Sequence, residues 1–189
     1  MSVIDAIKAR NSIPFLTDED IPREMITEIL DAAVCTPVHY CTDPWRFLVI
    51  RGEGRHRFGD FMAERMKKTL PDPDCPDNAA FLDKIRKKPL RAPVIIAVGA
   101  AKPDTPKALH MEDVASANVA CQNILLAAGE LGLGGIWRTG GLTYGEDTVA
   151  FLGFEADTRL VGFIYLGYPK RDLPPKERKT AESFTRYME

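Results

Sequence analysis

Arg10 and Ser12 are the first residues in the chain whose chemistry stands out. A guanidinium is planar and permanently charged, so it can hold two phosphate oxygens at once, and a neighbouring hydroxyl adds a short-range donor. Asn11 lies between them. Taken alone, such a triplet also describes an ordinary solvated helix end. A second segment runs from Thr36-Pro37-Val38-His39 to Asp43-Pro44-Trp45. His39 is the only histidine in these segments, and it reads either as a cofactor contact or as a solvated loop side chain. The third segment is Gly134-Gly135-Ile136-Trp137-Arg138-Thr139-Gly140. Its glycines do not form a dinucleotide loop. That loop follows a strand and opens a helix, whereas these residues follow a helix and precede a strand. Gly132 reads as a left-handed helix cap.

The elements that must position these residues are legible from capping and periodicity. Ser2 can cap a first helix, with Asp5 at its positive end, and that helix should end near Arg10. A second has Pro22 in its first turn and an apolar stripe of Met25, Ile26, Ile29, Leu30, Ala33 and Val34. Pro37 stops it by forcing Thr36 out of helical angles. Residues 47–50 read as a buried strand, and Phe58, Phe61, Met62, Arg65 and Met66 mark another helix. Residues 70–78 are acidic and contain three prolines, so a loop is expected. The unbroken apolar run over residues 93–98 is a strand buried on both faces. Residues 102–107 form a second loop, either a lid over a site or a plain exposed connection.

Residues 112–131 predict the longest helix. Val114, Ala117, Cys121, Ile124, Leu125, Ala128 and Leu131 make one face, while Val119, Ala120, Leu126 and Ala127 spread apolarity further round. A helix apolar on nearly all sides must be covered on nearly all sides, which favours a dimer. Thr143 and Glu146 read as a capping box for a short helix ending at Gly153. Residues 160–166 are the last strand, and the charged tail from Lys170 should lie on a surface. The order of helices and strands gives an α+β layer fold rather than a doubly wound sheet.

Together, in this order, the three segments resemble the nitroreductase family, FMN enzymes reduced by NADH or NADPH. The resemblance covers the chain from about residue 2 to 169 and is closest to short members. It implies a single domain over residues 1–189, with a central, mostly antiparallel sheet flanked by helices in an intertwined homodimer. It implies that Arg10, Asn11 and Ser12 hold the flavin phosphate, with Lys170 or Arg171 as a possible second cation. Asn11 stands where a second arginine is usual. Trp137, Arg138 and Thr139 would line the isoalloxazine. Cys35 and His39 fall at flavin positions on a loop that reaches the neighbouring subunit's flavin in related proteins, although Cys35 lacks the charge of the arginine found there in some members. Asp43 and Cys41 depart from the usual Gln and Asn. Ala127, Ala128, Gly129, Glu130, Leu131 and Gly132 match a stretch assigned to the nicotinamide nucleotide.

Composition narrows the rest. A chain of 189 residues fits one domain. A net charge of −2 gives no reason to expect nucleic acid or an anionic membrane as partner. No stretch approaches the ~20 apolar residues of a membrane helix, and residues 1–5 lack a signal peptide's basic start, so the cytoplasm is the expected compartment. Cysteines 35, 41, 75 and 121 form no Cys-x-x-Cys pair, and no metal site is suggested. The expected activity is ping-pong reduction of a small-molecule acceptor, such as a nitroarene or quinone, by NAD(P)H through FMN. The catalytic step belongs to the flavin, with His39 and Arg138 as candidate protein participants. Alternatives are another flavin task (dehalogenation, dehydrogenation or flavin breakdown) and a flavin-binding protein with negligible turnover. A hydrolase reading fails for want of a nucleophile motif.

Overall fold

The computed structural model describes residues 2–171, 173–174 and 176–189. Four strands form one sheet: β1 (Trp45–Arg51), β2 (Val94–Ala100), β3 (Gly134–Arg138) and β4 (Arg159–Gly167). Their order across the sheet is β1-β2-β4-β3, and every neighbouring pair is antiparallel. Among the described residues six α-helices complete the fold: α1 (Val3–Ala9), α2 (Arg23–Ala33), α3 (Glu53–Lys67), α4 (Pro76–Arg86), α5 (His110–Glu130) and α6 (Glu146–Phe151). This is the α+β architecture that the sequence predicts.

β2 shows why the sheet sits in the middle. All its residues are buried, and they alternate between two cores. Val94, Ile96 and Val98 face α2 and α5, whereas Ile95 and Ala97 face α3 and Ile85 of α4. A period of two on a doubly covered strand produces this pattern. β4 breaks the period with a bulge opposite Val98 and Gly99. Val161 and Phe163, two residues apart, therefore serve opposite cores. Gly162 at the bulge has φ 151°, and a Cβ there would lie 2.2 Å from the Trp137 indole nitrogen. Its missing side chain lets that indole cross β4 and donate to the Val161 carbonyl at 3.2 Å.

The helix signals are met at α1, where Ser2 and Asp5 form a reciprocal capping box. α2 buries Ile26, Ile29 and Ala33 from its expected stripe, and the Thr36 hydroxyl donates to the Ala33 carbonyl beyond its end. Gly132 is left-handed, φ 76°, after α5.

Three expectations need correction. β1 is half-buried rather than buried, with only Ile50 fully covered, because it lies at the end of the strand order. The proline-rich stretch is a loop only as far as Cys75, because Pro76 opens α4. Proline lacks only an amide that the first helical turn leaves unpaired in any case. Thr143 does not cap α6. It is buried in a 3-10 turn, Gly141–Tyr144, and Gly145 takes the cap position without a side-chain bond. The space beside Gly145 is filled by the Arg65–Asp147 ion pair at 2.9 Å.

α5 is covered on one side only. Ala117, Ala120, Cys121, Ile124, Leu125 and Ala128 are buried against the sheet and α2. Met111 and Val119 on the other side are 75% and 45% exposed. α1 buries nothing, and its Val3, Ile4 and Ile7 are all exposed. No helix among the described residues is long and apolar enough to cross a membrane.

Candidate functional site

The first cluster forms where the chain leaves α1. Arg10 is the C-cap residue of α1. Three residues on, the Ile13 amide donates to the Gly135 carbonyl at 2.9 Å, and Ile13 occupies the space beside Gly134. The 10–12 triplet therefore leads directly into the contact of Ile13 with the start of β3. Arg10 and Asn11 are half-buried and Ser12 is exposed. Arg178, from the tail, donates to the Arg10 carbonyl at 2.8 Å. Arg10 holds its proton less tightly than usual, first through burial and then through the positive charge of Arg178. Two guanidiniums close together, neither in an ion pair among the described residues, make a place for an anion. Arg171 is used differently, 4.5 Å over the Phe15 ring.

β3 carries the second cluster. Trp137, Arg138 and Thr139 line a cavity of about 710 Å3 between the sheet, α3 and the turn after α4. Small-molecule sites commonly enclose about 300–1,000 Å3. The Arg138 guanidinium lies 5.3 Å over the Tyr165 ring, and its Nε is buried with no hydrogen-bond partner among the described residues. A buried charged donor left unpaired costs about 1–3 kcal/mol or more, so a ligand acceptor there would relieve it. Burial pushes the Tyr165 phenol up to about 12, against the pull of Arg138 and Arg91. Tyr165 therefore stays neutral at physiological pH.

The loop over residues 36–45 is elsewhere. Tyr40, Cys41 and Asp43 have φ of 53°, 50° and 43°, a conformation costly for side chains other than glycine. Bonds to the first turns of α5 hold it: Ser116 donates to the Pro37 carbonyl at 2.8 Å, and Thr42 donates to the buried Asp113. His39 is exposed, with Nε2 3.7 Å from Glu112. Cys35 is exposed just beyond α2, its thiol donating to the Asp31 carbonyl. Arg10 lies past the other end of α5, and about 27 Å of helix axis separates Glu112 from Glu130. Within one chain, His39 does not meet the Arg10 triplet.

Ala127, Ala128, Gly129, Glu130, Leu131 and Gly132 form the last turn and cap of α5. Ala128 is part of the core, and its carbonyl accepts from Leu133 at 2.8 Å. Gly129, Glu130 and Gly132 are exposed. Sequence reading missed Lys88, Arg91, Tyr165 and Arg178. The first two follow an unread helix, and the others lie far in sequence from the segments they join.

The model of the nitroreductase family matches residues 7–168. The chain belongs to the nitroreductase family. It is 35% identical over 170 residues to "Putative NAD(P)H nitroreductase YdjA" of Escherichia coli (strain K12), with 90% of each chain covered. A crystal structure of an FMN complex from Desulfovibrio desulfuricans superposes with a TM-score of 0.73 at 26% identity, covering 100% of this chain and 98% of that one. Iodotyrosine deiodinase 1 of Sus scrofa is 28% identical over 188 residues, spanning 91% of this chain and 64% of that protein. The family thus includes chains named for nitroreduction and for deiodination. The two clusters around β3 fall inside the matched residues; Arg178, from the tail, lies beyond them.

Proposed function

We propose that the protein is a homodimeric FMN oxidoreductase that uses NAD(P)H to reduce nitroaromatic or quinone-like acceptors in a ping-pong cycle. The buried, unpartnered Nε of Arg138 at the wall of the β3 cavity carries this reading. FMN bound there would supply the hydride chemistry, which belongs to the cofactor and not to the protein. Arg10, Ser12 and Arg178 would hold its phosphate through charge-assisted bonds. Arg138 would set positive charge against the ring, favouring the added negative charge of reduction. Tyr165 supports the Arg138 guanidinium from below and remains a neutral donor.

The dimer reading rests on uncovered surface. The stripe of α5 with Met111 and Val119, and Val3, Ile4 and Ile7 of α1, stay exposed among the described residues, and exposed apolar patches of this kind mark interfaces. A second chain would also bring its own His39 loop towards the β3 cavity. The described residues include no separate nucleotide-binding domain, so NAD(P)H and acceptor would take turns at one flavin face. Reduction of a nitro group to nitroso takes two electrons and two protons and releases water. NAD(P)H supplies the electron pair with one proton, as hydride, and solvent supplies the second proton.

An initial-rate grid of NAD(P)H against nitrofurazone or menadione tests the cycle. Parallel reciprocal lines are expected, and intersecting lines reject a single shared face. Dehalogenation is the second reading, favoured by the likeness to the pig deiodinase. Release of iodide from 3-iodo-L-tyrosine under reducing conditions would establish it. No flavin reoxidation by any acceptor would leave a binding protein without turnover.

A further inference from the structure

The β3 cavity carries positive charge that the flavin reading leaves unused. Its walls are largely apolar, with Met62 and Met66 from α3, Ile85 from α4 and Ile136 from β3. Arg65, Lys88, Arg91 and Arg138 also line it, and no aspartate or glutamate does. Arg65 is neutralised by Asp147 at 2.9 Å and donates to the Gly141 carbonyl. Arg138 is assigned to the flavin ring above. Lys88 and Arg91 remain, and neither forms an ion pair among the described residues.

These two side chains are placed together by their backbone. They are the first and last residues of a 3-10 turn, Lys88–Arg91, anchored by the buried Pro89. Residues three apart in a 3-10 turn eclipse one another, so both cations lie on one side of the turn. Both also line the cavity. The flavin phosphate has its own cations in Arg10 and Arg178, on the tail side of β3. FMN itself therefore brings no anion to Lys88 and Arg91.

We propose that the ligand this cavity takes as electron acceptor is an aromatic acid, its ring against Met62, Met66 and Ile85 and its carboxylate on Lys88 and Arg91. The proposal rests on the reading of the adjoining segment as a flavin site. An amino-acid zwitterion fits less well, because no carboxylate in the lining can meet its ammonium group. A neutral nitroarene would leave two cations facing an apolar ring.

Calorimetric titration of the purified protein, with whatever cofactor it carries, provides the test without requiring turnover. The probes are 4-nitrobenzoate, its methyl ester and 4-nitrobenzylamine. The acid should bind at least about tenfold more tightly than the ester, with the amine weakest. In the K88Q/R91Q double variant the acid-to-ester ratio should collapse to within about threefold. Should that variant fail to fold, Arg91→Gln alone, at an exposed position, should remove part of the preference. Equal binding of acid and ester, no binding of the acid, or a preference that survives both substitutions overturns the proposal. Loss of flavin from the double variant without an acid preference assigns these cations to the cofactor and also overturns it. A binding preference with no NAD(P)H oxidation by any probe would instead count against the reductase reading alone.

Discussion

At the C-terminal end of α5 the chain closes on itself through its backbone. Ile13 bonds to Gly135, Leu133 bonds to Ala128, and Pro169 bridges to Leu16. At the N-terminal end the loop over residues 36–45 is held mainly by side chains, namely Ser116, Asp113 and the loose approach of Glu112 to His39, with one backbone bond from Ala101 to the Pro44 carbonyl. The first region packs glycines against neighbouring side chains and fixes its residues to a strand. The second keeps three non-glycine residues left-handed and leaves His39 and Tyr40 exposed. In the proposed reading the first end would hold the ligand, and the second would present His39 to another chain's site. Precision comes from strands and packing, and reach comes from loops.

The sharpest way to break this contrast is to fill the space beside Trp137. Gly162→Ala places a Cβ against the indole at a φ that disfavours side chains, combining overpacking with backbone strain. A loss of about 2–4 kcal/mol in urea unfolding is expected, and near-neutral behaviour would deny β3 its rigid role. Tyr165→Phe probes the same wall through pH. The folded-state phenol is raised from 10 to about 12, so the unfolded chain loses this proton first as pH rises. The stability linked to it is complete below pH 10 and declines between 10 and 12, by up to about 2.7 kcal/mol. The phenylalanine variant should lose correspondingly less in that window, and identical alkaline profiles would mean the ring is not desolvated.

Arg10→Ala should weaken FMN binding by about 1.5–3 kcal/mol, the range for hydrogen bonds to a charged group. Unchanged affinity in a flavin-release titration would remove Arg10 from the phosphate site. Asp43→Gly acts at the outward loop and should be the mildest. Relieving a left-handed residue at φ 43° should raise stability, by no more than about 1 kcal/mol. A large destabilisation would show that the loop is as tightly built as β3.

Much of the fold was legible because strong local signals agreed with tertiary needs. The apolar run of β2, the stripe of α2 and the Ser2 cap each had one physical solution. α4 is hidden in the sequence because Pro76 reads as a breaker, although it stands where helices accept proline. Thr143 looked like a cap because a capping box is defined by spacing alone, and the spacing does not show whether the hydroxyl is buried. The segments expected to hold the flavin were visible, and Arg10 and Arg138 do gather around one strand. Their neighbours Arg178, Lys88 and Tyr165 were not, since proximity across the sheet leaves no mark in sequence. Nor did the sequence show that His39 stands a helix length away from Arg10.

That separation makes the shared site the central claim, and mass with bound flavin measured together tests it most directly. Light scattering on the purified protein at micromolar concentration, with absorbance recorded in the flavin band, should give twice the 21.0 kDa chain mass and one FMN per chain. A stable, fully flavin-loaded species at the mass of a single chain would contradict it.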